Sequence, residues 1–136
     1  MPKLRKYQYH KDGTLPEVTK DYIFVFGANL RGQHGAGAAV VAKEKFGAEF
    51  GIGMGLTGNS YAIPTKDRWM RSLSLVEIKH YINVFKNFTH NRPDSKFWVT
   101  AVGCGLAGFH MSQIAPLFID ANTNCNFPDN WKNYLK

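Results

Sequence analysis

Two glycine-rich stretches carry much of the possible chemistry in this sequence. The first runs from Gly27 to Ala38 and the second from Val102 to Phe109, each between an apolar run and a helical pattern. Glycine lets backbone N–H groups approach a ligand, and the start of a helix carries a partial positive charge. Together the stretches suit a clamp for a phosphate or diphosphate. Tight connections also use glycine routinely, so a purely structural role stays open.

A third stretch, Gly51–Gly58, has four glycines in eight residues. It predicts an irregular segment near a ligand or near another backbone, or a mobile loop. The chain then continues to Thr65, Lys66 and Asp67. If a strand ends here, Lys66 points toward the ligand that the glycine stretches would bind. Most lysines are solvated surface charges, so the prediction for Lys66 depends on its position in the chain and not on its residue type. The first stretch, Gly27–Ala38, is neither a P-loop, because Gly-Lys-Ser/Thr is missing, nor the dinucleotide fingerprint, because its glycine spacing differs.

Other reactive residues are less informative. Cys104 and one of the five histidines would make a nucleophilic pair, but a cysteine in a glycine loop is as easily a small buried residue. The histidines lack metal-ligand spacing, and no carboxylate pair suggests glycoside hydrolysis. We therefore expect neither a metal nor a cofactor.

Composition narrows the class of protein. The 136 residues are 44% hydrophobic, which predicts one folded domain over residues 1–136. No apolar run approaches the roughly 20 residues of a membrane span, and the basic start Met1–Lys6 lacks a signal peptide's apolar stretch. Two cysteines, Cys104 and Cys125, are too few for a disulfide scaffold, so we expect a cytoplasmic protein.

The formal charge of +7 favours anionic partners such as nucleotides or nucleic acid. Solubility alone would also explain it. The charge carries no information about oligomeric state, which stays open.

The elements that must position these loops follow an α/β order, which predicts a mixed, largely parallel sheet with helices on both faces. Ligands of such sheets bind at the carboxyl ends of the strands, where two of the glycine loops fall. The predicted strands are Tyr7–Tyr9, Tyr22–Phe26, Ser60–Pro64 and Phe97–Val102. The predicted helices are Ala38–Phe46, one that begins after a capping box at Ser74, and one from the cap Ser112 to about Asn122.

Three stretches resemble, in their order and separations, those of a macro domain, the α/β module that binds ADP-ribose. They are Asn29–Phe46, Pro64–Trp69 and Gly103–Phe109, and the tail Asn126–Trp131 looks like the family's last strand and its exit. The likeness is greatest to the branch that contains the terminal ADP-ribose glycohydrolase of animals and the bacterial antitoxin that removes ADP-ribose from DNA. It implies a three-layer α/β/α fold and a stand-alone bacterial or phage macro-like protein.

The resemblance also implies a site. Lys66 matches the catalytic lysine of the branch, and Asn29 matches the asparagine at the distal ribose. Adenine would lie near Asp21 or Tyr22, and Phe109 near the distal ribose. The implied ligand-binding residues are Gly27, Ala28, Gly35, Ala36, Gly37, Ala38, Thr65, Gly103, Cys104, Gly105, Leu106, Ala107, Gly108 and Phe109.

The implied activity is hydrolysis of ADP-ribosyl linkages to nucleic acid or protein, with the Lys66 amine attacking the opened ribose. Ala107 occupies the position of a catalytic aspartate in the animal enzyme, and the bacterial relatives also have a small residue there. Two alternatives stay open. One is a non-catalytic module for ADP-ribose or another NAD-derived nucleotide. The other is an ADP-ribose 1″-phosphatase in which His34 or Asn29 positions the water.

Overall fold

The structure is a computed structural model that describes residues 7–136. The start Met1–Lys6, on which the expectation about a signal peptide depends, lies outside the described residues. The strands are β1 (Gln8–His10), β2 (Ile23–Asn29), β3 (Gly55–Thr57), β4 (Ser60–Lys66), β5 (Phe97–Val99) and β6 (Cys125–Pro128). The α-helices are α1 (Ala38–Lys45), α2 (Leu75–His90) and α3 (Met111–Ile114), and 3-10 helices span Thr19–Asp21, Ala115–Phe118 and Asp129–Tyr134.

One sheet contains all six strands in the order β1-β6-β5-β2-β4-β3, and only the β3–β4 pair is antiparallel. From β2 the chain crosses to β4 on one side, whereas from β5 it crosses to β6 on the other. The loops that follow β2 and β5 therefore diverge at neighbouring carboxyl ends. Such a switch point opens a crevice in an α/β sheet, and it brings the two glycine loops face to face.

Alternating side chains of β2 divide the core into two layers. Phe24, Phe26 and Ala28 pack with α1 on one face, whereas Val25 belongs to the larger cluster that contains Ile82 of α2. Parallel strands buried on both faces need such continuous apolar runs. The predicted three-layer α/β/α architecture with a mixed, largely parallel sheet is confirmed.

The helix after Ser74 begins as predicted. The Ser74 hydroxyl accepts from the Glu77 N–H at 3.2 Å, and the Glu77 carboxylate accepts from the Ser74 N–H at 3.3 Å, which satisfies otherwise unpaired donors at the helix start. Ile78, Ile82 and Phe85 are fully buried, so the apolar stripe of α2 is core. Among the described residues, no helix is long and apolar enough to cross a membrane.

The last predicted helix is wrong at both ends. His110, not Ser112, is the cap: its Nδ1 accepts from the Ser112 N–H at 3.1 Å. The α-helix ends at Ile114, and a 3-10 helix follows it to Phe118. Both stop before the predicted end at Asn122. Pro116 explains the change, because it has no N–H to bond a carbonyl one α-turn back.

Strand boundaries also differ. β5 ends at Val99 rather than Val102, because the chain turns where the Val102 N–H bonds the Thr100 carbonyl at 2.7 Å. β1 lies one residue later than predicted. β2 and β4 run on to Asn29 and Lys66, so both residues lie at strand ends.

Candidate functional site

A cleft of about 940 Å³ lies at the carboxyl ends of β2, β4 and β5. Lys66, Asn29 and the predicted ligand-binding residues of the glycine loops line it, except Gly108 and Phe109. The structure therefore brings together residues from three separated parts of the chain. Many of the lining residues are glycine or alanine, so the backbone forms much of the surface that a ligand would meet.

The first wall is the loop between β2 and α1, which Asn29 holds in shape. The Asn29 amide donates to the Gln33 carbonyl at 2.7 Å, and its oxygen accepts from the Gln33 N–H at 3.1 Å. An amide has two donor hydrogens and two acceptor lone pairs. Asn29 therefore braces its loop and keeps one donor and one acceptor for a ligand.

The start of α1 forms the next part of this wall. Gly37 precedes the helix with φ +60°, a conformation that favours glycine, and supplies no side-chain cap to the first turn. Gly35, Ala36 and Gly37 are exposed along the cleft. The first amides of a helix have no partner within it and attract anions. This segment is therefore suited to bind a phosphate.

The third glycine stretch supports that loop from behind. A Cβ at Gly53 would overlap the Asn29 carbonyl oxygen and lie 3.0 Å from Leu30, and the Gly51 N–H donates to the Gly32 carbonyl at 3.0 Å. Of the three predicted roles for Gly51–Gly58, the structure supports contact with another backbone. Its last part is not a loop, because Gly55–Thr57 forms the edge strand β3.

Lys66 ends β4 directly opposite Asn29 on β2, where the pairing is irregular. Its side chain is half-buried and lines the cleft. The neighbouring Asp67 is not part of the cleft lining: its carboxylate accepts from the N–H groups of Trp69 at 2.8 Å and Arg71 at 3.0 Å, and it pairs with the Arg71 side chain. The backbone hydrogen bond from Arg71 is the main cause that lowers the pKa of Asp67.

The turn after Lys66 is strained and tied across the cleft. Met70 lines the cleft and has φ +65°, which is uncommon for a residue other than glycine. Ser72, just beyond it, donates from its hydroxyl to the Ala107 carbonyl at 2.7 Å. The Lys66 turn and the second glycine loop are thereby joined.

That second loop closes on itself through its backbone. The Phe109 N–H donates to the Gly103 carbonyl at 2.9 Å and the Gly108 N–H to the Gly105 carbonyl at 2.9 Å. Gly103 has φ +74° and lies under Ile114. Phe109 packs against the larger core cluster, and so the structure does not bring Phe109 or Gly108 to the cleft surface.

An N-terminal segment that sequence reasoning missed forms the opposite end of the cleft. His10, Asp12, Thr14 and Leu15 line it. The His10 ring stacks on Trp98 at 3.9 Å, and the Trp98 Nε1 donates to the Thr14 carbonyl at 3.1 Å. The turn signal Asp12–Gly13 was the available clue, because it follows the first strand at its carboxyl end.

Asp21 and Tyr22, the residues expected near adenine, do not line this cleft. They lie at the beginning of β2, at the other end of the sheet, where Tyr22 lines a separate pocket of about 240 Å³. The expectation of a base contact there is therefore wrong for this cleft. The parallel strands explain it, because residues that begin a strand are a full strand length from those that end it.

The cleft lining carries charges of both signs. Lys43 and Lys66 are the lysines of its described lining, and Asp12 is its carboxylate. An anion is favoured toward the lysines, whereas a donor such as an amine would suit Asp12. Within residues 7–136, no group of three His, Cys, Asp or Glu side chains could hold a metal ion.

Cys104 lines the cleft without the surroundings of a nucleophile. Burial raises its pKa to about 11, with the Asp12 charge adding to the effect. Its thiol donates to the Val102 carbonyl at 3.5 Å. Since the thiolate is the reactive form, a cysteine–histidine mechanism has no support in this geometry.

Cys104→Ser is accordingly expected to leave nucleotide binding and any turnover within about twofold of the wild type. Iodoacetamide should label Cys104 at pH 7.5 at least about tenfold more slowly than free cysteine, because so little thiolate is present. Mass spectrometry of labelled protein measures this rate. Fast labelling, or loss of turnover in the serine variant, would restore Cys104 as a nucleophile.

Neither a family model nor a curated protein matches the chain. Among solved structures, it is similar to Thermosipho africanus DarTG in complex with ADP-ribose, with a TM-score of 0.54 and 17% identity. The match covers 81% of this chain but 39% of the other, so this chain spans less than half of that protein. The likeness supports a macro-domain-like fold.

Proposed function

We propose that this chain binds ADP-ribose in the cleft and hydrolyses ADP-ribosyl linkages to a nucleic acid or protein acceptor. One observation carries the proposal: three separated loops converge on a single cleft that has exposed backbone amides along one wall and Lys66 at a strand end. A solved protein of the same fold was captured with ADP-ribose, which supports this choice of ligand.

The diphosphate would lie between the two glycine loops. Gly35–Gly37 and the first turn of α1 offer amides that no side chain of the cap engages. Two phosphates carry the negative charge that such amides and the helix dipole stabilise. The loop that begins at Gly103 forms the other wall of the cleft and adds no carboxylate to it. A carboxylate there would repel the diphosphate.

The charged residues of the cleft indicate the orientation of the bound nucleotide. The ribosyl end lies near Lys66 and Asn29, which face each other across β4 and β2. The adenine end then lies toward Asp12, the carboxylate of the cleft. A carboxylate accepts from an exocyclic amine, so Asp12 can distinguish a base that carries one.

In the reaction, the neutral amine of Lys66 attacks the anomeric carbon of the opened distal ribose. A C–N bond forms, the bond to the acceptor breaks, and the acceptor leaves with its electron pair and takes up the proton that the amine releases. Water then hydrolyses the C–N linkage and returns the amine. Asn29 orients the ribose through the donor and acceptor that its loop leaves unused.

A binding module without turnover is the second candidate. One observation favours it: with Ala107 in the second loop, that wall of the cleft has no carboxylate that could act as an acid or base. Under this candidate the same cleft holds ADP-ribose or another NAD-derived nucleotide.

Calorimetric titration with ADP-ribose, with AMP and ADP as controls, tests the binding proposal. We expect ADP-ribose to bind at least about tenfold more tightly than AMP, because AMP lacks the second phosphate and the distal ribose. No heat and no thermal shift at millimolar ADP-ribose would overturn it. Incubation with ADP-ribosylated DNA, RNA and protein then separates hydrolase from binder, and phosphate release from ADP-ribose 1″-phosphate identifies a phosphatase.

A further inference from the structure

His34 carries a hydrogen-bonding atom that the protein itself does not use. Its side chain lines the cleft with only 7% of the residue exposed, and its ring packs edge-on against Phe26. Nδ1 of this ring is buried and has no partner among the described residues. An unpaired buried acceptor lowers the stability of the folded protein, so a protein rarely keeps one without a use.

The other ring nitrogen determines what Nδ1 can do. Nε2 lies 3.0 Å from the Glu49 carbonyl oxygen. Since a carbonyl only accepts hydrogen bonds, Nε2 must carry the proton, and in the neutral ring Nδ1 is then an acceptor. The partner that Nδ1 lacks is therefore a donor. Phosphate oxygens of a diphosphate have none to offer.

The position of His34 indicates which donor it meets. It directly follows Gln33, whose backbone is held by the Asn29 amide at 2.7 and 3.1 Å, and Asn29 lies opposite Lys66. The ring therefore belongs to the Lys66 end of the cleft. In ADP-ribose, the donors at that end are the hydroxyl groups of the distal ribose.

We infer that His34 is a ligand-contacting residue whose Nδ1 accepts a hydrogen bond from a hydroxyl of the distal ribose. The inference rests on the proposed function. It makes His34 a specificity determinant: a ligand with a hydroxyl at this point pairs the buried nitrogen, whereas ADP, which ends at the diphosphate, leaves it unpaired. This acceptor then contributes to the preference for ADP-ribose over ADP, beside the contacts of Asn29.

Two substitutions separate this contact from the structural role of the ring. His34→Asn can present an oxygen near the position of Nδ1 but loses the bond to Glu49. His34→Gln can keep a donor near the position of Nε2 but loses the Nδ1 acceptor. We expect His34→Gln to bind ADP-ribose about tenfold more weakly and ADP within twofold of the wild type. His34→Asn should keep ADP-ribose affinity within about threefold, although its melting temperature falls.

Calorimetry of both variants and the wild type with both nucleotides decides the matter. The inference is overturned if His34→Gln binds ADP-ribose as the wild type does, or if both variants lose affinity for the two nucleotides alike. It also fails if the wild type binds ADP-ribose no more tightly than ADP, while ADP binding itself still supports a nucleotide cleft. Binding of neither nucleotide to the wild type overturns the proposed function, and this inference with it.

Discussion

Gly53→Ala is expected to lower the melting temperature by about 5–10 °C and to remove ADP-ribose binding at concentrations that saturate the wild type. The added methyl group would overlap the carbonyl oxygen of Asn29 and lie 3.0 Å from Leu30. Both obstacles are backbone, which cannot move aside as a flexible side chain does. Either the Asn29 loop or the Gly51–Gly53 segment must shift, and the cleft wall moves with it.

Gly35→Ala is the matched control for stability. Gly35 also lies in the glycine-rich wall, but a methyl group there meets nothing within 4 Å and the backbone has no positive φ. Its melting temperature should therefore stay within about 2 °C of the wild type, as for most exposed substitutions. Calorimetric unfolding and ADP-ribose titration measure both variants. A Gly53→Ala protein with unchanged stability and affinity would refute the role of this segment as the support of the loop.

Lys66→Ala is expected to reduce turnover of an ADP-ribosylated substrate by at least about 100-fold while ADP-ribose still binds. The methyl side chain removes the one amine that lies opposite Asn29, and positioned groups of this kind contribute about 10²–10⁴-fold. Binding persists because the backbone amides of the two glycine loops remain. A single-turnover assay with excess protein measures the chemical step, and titration measures affinity.

Two further variants sharpen this result. Lys66→Arg keeps a positive charge but cannot supply a neutral amine, so it should bind and fail to turn over. Lys79→Ala removes an exposed lysine of α2, outside the cleft, and should change neither quantity. Full turnover in Lys66→Ala would remove this residue from the mechanism. A loss of activity in Lys79→Ala would instead point to net charge as the cause.

The parts of the fold that the sequence could predict are those governed by local rules. The apolar run of β2 and the capping box at Ser74 each follow from neighbouring residues alone. The glycine loops were also located, because an α/β order fixes where strand ends meet. Their convergence on one cleft followed from that order.

The misses have physical causes of other kinds. β3 was not predicted, because glycine at position 55 is unfavourable in strands and only pairing with β4 makes the segment regular. The wall around Asp12 was missed since β1 pairs with β6, the strand farthest away in sequence. His34 could be named as a candidate from the sequence. The acceptor state of its Nδ1 could not, because it follows from the bond between Nε2 and the Glu49 carbonyl, which only the folded chain brings near.

The abundance of glycine and alanine along the cleft affects how readily mutations could make the protein resistant to an inhibitor bound there. An analogue that bonds only to main-chain amides, such as those of Gly35–Gly37, would leave the protein few single substitutions with which to evade it, because every residue except proline keeps its N–H. An analogue that relied on Asn29, His34 or Lys66 would meet resistance sooner. At those three positions, however, a substitution that defeats the inhibitor also removes a group to which we assign a contact with ADP-ribose.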